Sequence, residues 1–144
     1  GLYEEGGCVS NQFVAVIDSE KIKEEMISLP GDYASVVEEL AKARVSRARA
    51  EQELKMLRFV VEKHERDLYK NGIVDKKPTE DAIKMEVALH PKVKVAQDAL
   101  LEAEERCYLL EAKKEAFNCK RDMLVSLSAL QRAELDTLRF SGAR

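Results

Sequence analysis

A heptad repeat of apolar side chains between residues 36 and 68 constrains this chain more than any other feature of its sequence. The repeat advances in alternate steps of four and three residues, as the a and d positions of a coiled-coil helix do. Eight of its ten positions are apolar. These positions are Val36, Leu40, Ala43, Arg47, Ala50, Leu54, Leu57, Val61, His64 and Leu68. The repeat therefore predicts a long helix over residues 33–70 with a buried seam of about 50 Å.

Capping and helix-breaking residues set the elements on the N-terminal side. Residues 1–17 predict a flexible lead-in, and residues 18–144 predict a single helical domain. A short helix is expected over residues 20–28. The run Leu29-Pro30-Gly31-Asp32 then predicts a break, after which Asp32 caps the long helix.

Further caps divide the C-terminal half. Asn71-Gly72 predicts the end of the long helix in a left-handed cap. Thr79 is suited to cap a second short helix that ends near Leu89. Pro91 at a first helical position then predicts a last helix without a breaker to about Leu138. Residues 18–89 thus hold the N-terminal helices, and residues 90–138 the long C-terminal helix.

The composition supports an all-helical fold. Ala, Glu, Lys, Leu and Arg fill about half of the 144 positions, whereas Gly occurs six times, Pro three times and Trp not at all. An all-β sandwich and a Gly-rich nucleotide fold are excluded on this ground. No apolar run approaches the ~20 residues of a membrane span. We expect an all-α chain, an elongated antiparallel helical hairpin of two long helices with two short helices, which assembles as an oligomeric ring or bundle.

The last helix is apolar on more than one side, and this predicts self-association. Its apolar stripe steps sideways half-way along, so one narrow seam does not account for it. The expected oligomerisation residues are Leu100, Ala103, Cys107, Leu110, Ala112, Ala116, Cys119, Met123, Leu127 and Leu130. The alternative is a monomeric hairpin.

Catalytic patterns are missing from the sequence. It has no phosphate-binding loop, no nucleophile elbow and no zinc-binding spacing among Cys8, Cys107 and Cys119. His64 falls in the heptad seam, and His90 falls at a helix start, where capping is the expected role. We therefore expect no enzyme, no metal and no cofactor.

Local positive charge is the feature that points to a ligand. The net charge is -3, yet residues 33–77 carry 11 bases and 8 acids. Basic side chains interleaved with an aromatic are typical of single-stranded nucleic acid binding. The candidate DNA-binding residues form two clusters, Lys42, Arg44, Arg47 and Arg49, and then Lys63, Arg66, Tyr69, Lys70, Lys76 and Lys77. Ordinary surface charge on a solvated helix is the alternative.

Three segments resemble a known family, the phage recombination mediators of the UvsY type. Residues 16–21, Val-Ile-Asp-Ser-Glu-Lys, look like that family's entry to its first helix. Residues 63–69 look like its Lys-x-Arg-Leu-Asp-Tyr-Tyr segment before a Gly-containing turn, and residues 83–95 like the start of its last helix. The chain departs from the pattern in the three-residue spacing of Lys63 and Arg66 and in the single aromatic, Tyr69.

The resemblance implies a function and its partners. Such a protein would form a ring through its C-terminal helices and bind single-stranded DNA on a surface that includes Lys63 and Arg66. It would help a RecA-like recombinase replace single-strand binding protein, in the cytoplasm of an infected bacterial cell. The alternative is a structural or adaptor coiled coil without DNA binding, such as a virion component or a helical-hairpin chaperone. A regulator of host machinery is a third class that the residues neither favour nor exclude.

Overall fold

The computed structural model describes residues 19–142, and these form three helices. Helix α1 spans Ser19–Lys70, α2 spans Glu80–Leu89, and α3 spans Pro91–Gly142. The all-α prediction is confirmed. The predicted lead-in, residues 1–17, lies outside the described residues. The helices contribute to two compact units, a turn unit of residues 38–111 and a terminal unit made of the described residues of 1–37 and 112–144.

In the turn unit, α1 and α3 pack antiparallel along the predicted heptad seam. One buried cluster joins Leu40 and Ala43 of α1 to Cys107 and Leu110 of α3. A second cluster joins Leu54 and Val61 of α1 to Val93 and Ala96 near the start of α3, with Leu57, Val87 and Leu100 packed against it. Because the early part of one helix meets the late part of the other, the pairing predicted from the sequence is confirmed. His64 is the seam position that is exposed.

The terminal unit has a smaller core of its own. Ile22 and Leu29 of α1 are buried with Leu124 of α3, and Phe117 and Leu127 pack against them. Lys120 forms a salt bridge with Glu25 across the two helices. Leu124 is only 1% exposed, although it lies on neither apolar stripe predicted for the last helix.

The predicted break at residues 29–32 is wrong. Helix α1 continues through Pro30, so residues 19–142 contain one short helix where two were expected. A proline inside a helix removes one backbone hydrogen bond and costs about 3 kcal/mol. Ile22, Leu29 and Val36 are buried at seven-residue intervals in phase with the heptad seam, and burial of a Leu or Ile side chain contributes about 1.5–3 kcal/mol each. Packing of the helix therefore offsets the cost of Pro30.

The predicted boundaries between α1 and α3 are confirmed, and each has a local cause, whereas α3 continues to Gly142, beyond the predicted end at Leu138. Gly72 has φ +76°, a left-handed conformation that favours glycine, just after α1 ends. The Thr79 hydroxyl accepts a hydrogen bond from the Ala82 amide at 3.2 Å and so caps α2. The His90 imidazole Nδ1 accepts one from the Lys92 amide at 3.2 Å, which is the capping role expected of this histidine.

Candidate nucleic-acid interface

The second predicted cluster lies at the end of α1 and in the turn that follows it. We name residues 63–79 the basic turn, which carries five bases and three acids. The turn is held by the helix end, where the Asn71 amide donates to the Asp67 carbonyl at 2.9 Å and the Ile73 amide donates to the Leu68 carbonyl at 2.9 Å. These bonds fix the path of the chain after Lys70 and so the position of the lysines that follow it.

Most of the cations of the basic turn are open to a ligand. All five basic side chains are exposed, and four of them form no salt bridge with any described residue. These four are Lys63, Lys70, Lys76 and Lys77. Tyr69 lies between them in the sequence and is 41% exposed. A ring with a free face beside unpaired ammonium groups suits a base and its phosphate.

A shallow groove adjoins the aromatic ring. Tyr69 and Lys77 line it together with Pro78 and the buried Ile83 of α2. Arg66 and Glu80 complete the lining. The groove thus offers an apolar floor, one aromatic ring and one unpaired cation.

Arg66 differs from the lysines, because carboxylates already hold it. Its Nη2 donates to Glu62 Oε1 at 2.7 Å and to the two carboxylate oxygens of Glu80 at 3.2 Å each. Glu80 is the first residue of α2, so this contact joins the start of α2 to the last turns of α1. Arg66 therefore positions α2 beside the basic turn. The spacing of residues in the sequence does not indicate Glu80 as the partner of Arg66, since their contact depends on the path of the turn.

The first predicted cluster is not brought together. Lys42 pairs with Glu38 at 3.2 Å, and Arg44 pairs with Glu111 of α3 at 3.4 Å. Arg47 is half-buried in the heptad seam. Arg49 alone of the four is exposed without a salt bridge to a described residue. The four cations divide between two sides of the helix, with Lys42 and Arg49 on one side and Arg44 and Arg47 on the other, because successive residues are about 100° apart.

The residues assigned to self-association fall into three groups. Cys107 and Leu110 are buried within the chain, and Leu100 packs against the other buried cluster of the turn unit, that of Leu54 and Val93. Ala103, Met123 and Leu127 are half-buried. The exposed members are Ala112, Ala116, Cys119 and Leu130. The first half of the stripe is thus covered by α1, whereas part of the second half stays open to a partner.

Large apolar side chains remain exposed elsewhere in the turn unit. On α1 they include Val45, Met56 and Phe59, and Phe59 is 68% exposed. On α3 they include Val95 and Leu109. The heptad seam of α1 does not predict this surface, because the exposed apolar residues lie on the other side of the helix.

Comparison with known proteins gives no relative. No protein-family model, curated protein or solved structure matches this chain. Within residues 19–142, no group of three or more His, Cys, Asp and Glu side chains is placed to hold a metal ion. None of the described helices has a stretch that is long and apolar enough to cross a bilayer. A functional assignment therefore depends on the basic turn, the exposed apolar faces and the resemblance of three segments.

Proposed function

We propose that this protein is a recombination mediator that binds single-stranded DNA at the basic turn and self-associates. In this role it helps load a RecA-like recombinase onto DNA in place of single-strand binding protein. One observation carries the DNA-binding part, namely four exposed lysines, before and after the exposed Tyr69 in the sequence, that form no salt bridge within residues 19–142. The resemblance to the UvsY-type mediators supports the role in recombination.

Self-association would let the protein hold DNA stably even though each copy binds it weakly. A basic turn with five bases and three acids gives each copy a modest attraction for phosphate. When several such sites are held in one assembly, the second and later contacts become intramolecular, and avidity rises by about 10²–10⁴. The exposed apolar residues of α1 and α3 support such an assembly, because large exposed apolar side chains are buried when copies associate.

Titration of a fluorescent single-stranded oligonucleotide tests the DNA-binding part. We expect binding at low ionic strength that weakens steeply as salt rises, because phosphate contacts release counterions. A duplex of the same sequence is the matched control, and its bases are not free to stack on Tyr69. An oligonucleotide that stays unbound at low salt would refute DNA binding.

A loading assay tests the role in recombination. We expect the protein to shorten the lag before a RecA-like recombinase hydrolyses ATP on DNA coated with single-strand binding protein. If the protein binds the DNA but the lag is unchanged, the protein binds DNA without acting as a mediator, and the role in recombination is refuted.

The exposed apolar faces also favour a second candidate, a structural or adaptor coiled coil. That protein would associate through α1 and α3 and have no affinity for DNA. Light scattering with and without a single-stranded oligonucleotide separates the two functions. A complex with a larger mass in the presence of DNA indicates the mediator, and an unchanged mass indicates the adaptor.

A further inference from the structure

Helix α1 carries a second heptad row in the turn unit, on the side away from α3. This row advances by alternate steps of three and four residues, like the buried seam. All of its members are exposed. The row consists of Lys42, Val45, Arg49, Gln52, Met56 and Phe59, and we name it the basic row.

Helix α3 carries a matching row on the side away from α1, except that Val95 at its start lines a groove with Glu53 and Leu57 of α1. Its members follow the same three-four spacing, and all are exposed. The row consists of Val95, Asp98, Glu102, Glu105 and Leu109, and we name it the acidic row. From Val45 to Phe59 and from Val95 to Leu109 the two rows advance by the same number of residues, about 21 Å of helix.

The two rows are complementary in charge as well as in length. The basic row contains two cations and no acid, and the acidic row contains three acids and no cation. Lys42 is already paired with Glu38, so Arg49 is the cation of the basic row that has no salt bridge with a described residue. Glu53 and Arg106 lie next to the rows on the helix surface, one beside each. The acidic row has apolar side chains at both ends, Val95 and Leu109, and the basic row has Val45 after its first lysine and Phe59 at its last position.

The rows cannot cover each other within one chain. The buried clusters of the turn unit place α1 and α3 face to face, so the two outward rows lie on opposite sides of the unit. Two complementary patches on opposite sides of one molecule can meet only between copies, in a head-to-tail contact.

We propose that the basic row of α1 packs against the acidic row of α3 in a second copy of this chain. The helices run antiparallel, as they do within the chain, so that Phe59 lies opposite Val95 and Val45 opposite Leu109. Arg49 then lies opposite Glu105, and Gln52 opposite Glu102. This inference rests on the self-association in the proposed function and is independent of DNA binding.

A charge-reversal experiment without DNA tests this contact. Sedimentation or light scattering is measured for the native chain, Arg49→Glu, Glu105→Arg and the double variant. We expect the native chain to associate, and each single reversal to weaken association about tenfold or more, because it sets like charges against each other. We expect the double variant to regain association, and an equimolar mixture of the two single variants to do so as well.

The control is Lys23→Glu, which reverses an exposed charge of α1 outside the basic row. Circular dichroism checks that each variant keeps its helices, and both Arg49 and Glu105 are exposed, so the fold does not depend on them. A native chain that stays single over the micromolar range overturns the proposal. So do single reversals that associate like the native chain, or a double variant that fails to recover.

The assay also separates this contact from a direct role in DNA binding. If the copies stay single and Arg49→Glu lowers DNA affinity, the basic row belongs to the DNA site and the proposal fails. If the charge reversals act as expected while the native chain binds no DNA, the contact between copies holds and the DNA-binding function fails.

Discussion

At the scale of single residues, salt bridges divide the cations into those held by the fold and those open to a ligand. Arg66 is held by Glu62 and Glu80. Lys76 and Lys77 are exposed, and no described residue pairs with either of them. Lysines that are free in the absence of DNA give up no ion pair when they meet a phosphate. We therefore expect each of these lysines to contribute more to DNA affinity than the salt-bridged Arg66 does.

The double variant Lys76→Ala/Lys77→Ala tests the lysines of the basic turn. We expect weaker binding to single-stranded DNA and a plot of log affinity against log salt that is less steep by about 1.4, since each lost phosphate contact removes about 0.7. Anisotropy titrations over a range of salt measure both quantities. Lys113→Ala/Arg132→Ala, which removes two exposed cations elsewhere, is the control and should leave the slope as it is. An unchanged slope in the Lys76/Lys77 variant would place the DNA contact elsewhere.

Glu80→Gln tests how Arg66 is held. The amide keeps the size of the side chain but removes its charge, so Arg66 becomes freer to meet a phosphate. We expect higher affinity for single-stranded DNA and a small loss in the free energy of unfolding, about 0.2–1 kcal/mol for an exposed pair. Glu86→Gln, an exposed position on the same helix, is the matched control. Reduced DNA affinity in the Glu80 variant would contradict this account of Arg66.

At the scale of elements, the two long helices owe their length to continuous burial. Ile22, Leu29 and Val36 extend the seam of α1 upstream across Pro30. The sequence contained this signal, because all three residues are in phase with the heptad repeat. Local rules for Pro and Gly predicted a break instead, since they do not include the energy of packing against α3.

Pro30→Ala tests the continuity of α1. Alanine restores the missing backbone donor, so we expect the terminal unit to gain about 1–3 kcal/mol of stability. Gly31→Ala is a useful companion, because the added methyl meets no atom within 4 Å, and we expect a gain of about 1 kcal/mol. Thermal unfolding and amide exchange over residues 27–35 measure the effect. Destabilisation by both variants would show that the helix breaks there in solution.

Leu40→Ala tests the core of the turn unit. Leu40 is 2% exposed and packs in the cluster with Cys107, so its truncation leaves a cavity and costs about 2–5 kcal/mol. Leu135→Ala removes the same atoms from an exposed site on α3, and we expect a change within about 0.5 kcal/mol. Denaturant unfolding compares the two variants. Equal losses would mean that the heptad seam does not form the core.

At the scale of the whole molecule, the proposed function joins two surfaces of different chemistry. In that proposal the basic turn binds phosphate and a base, and the two outward rows join copies. When copies associate, their basic turns bind one DNA strand together. A substitution in the rows should therefore weaken DNA binding even though it changes no residue of the basic turn.

Arg49→Glu therefore has a predicted effect that depends on the length of the DNA. On an oligonucleotide that spans several copies we expect affinity to fall at least about tenfold, because multivalent binding is lost. On an oligonucleotide short enough for one basic turn we expect little change. Titrations over a series of oligonucleotide lengths measure this difference. Equal losses at every length would show that Arg49 contacts DNA directly.

The sequence by itself determined the all-helical fold, the heptad seam of α1 and the caps at Gly72, Thr79 and His90. These features are local, since each depends on the spacing or the backbone preference of residues a few positions apart. Only the tertiary structure decided that α1 continues through Pro30 and that Leu124 is buried. It also decided that Arg44 and Arg66 are held by Glu111 and Glu80. Each of those outcomes depends on contacts between side chains of different helices. The residues in contact are far apart in the chain, so local sequence patterns do not indicate which side chains are buried or paired.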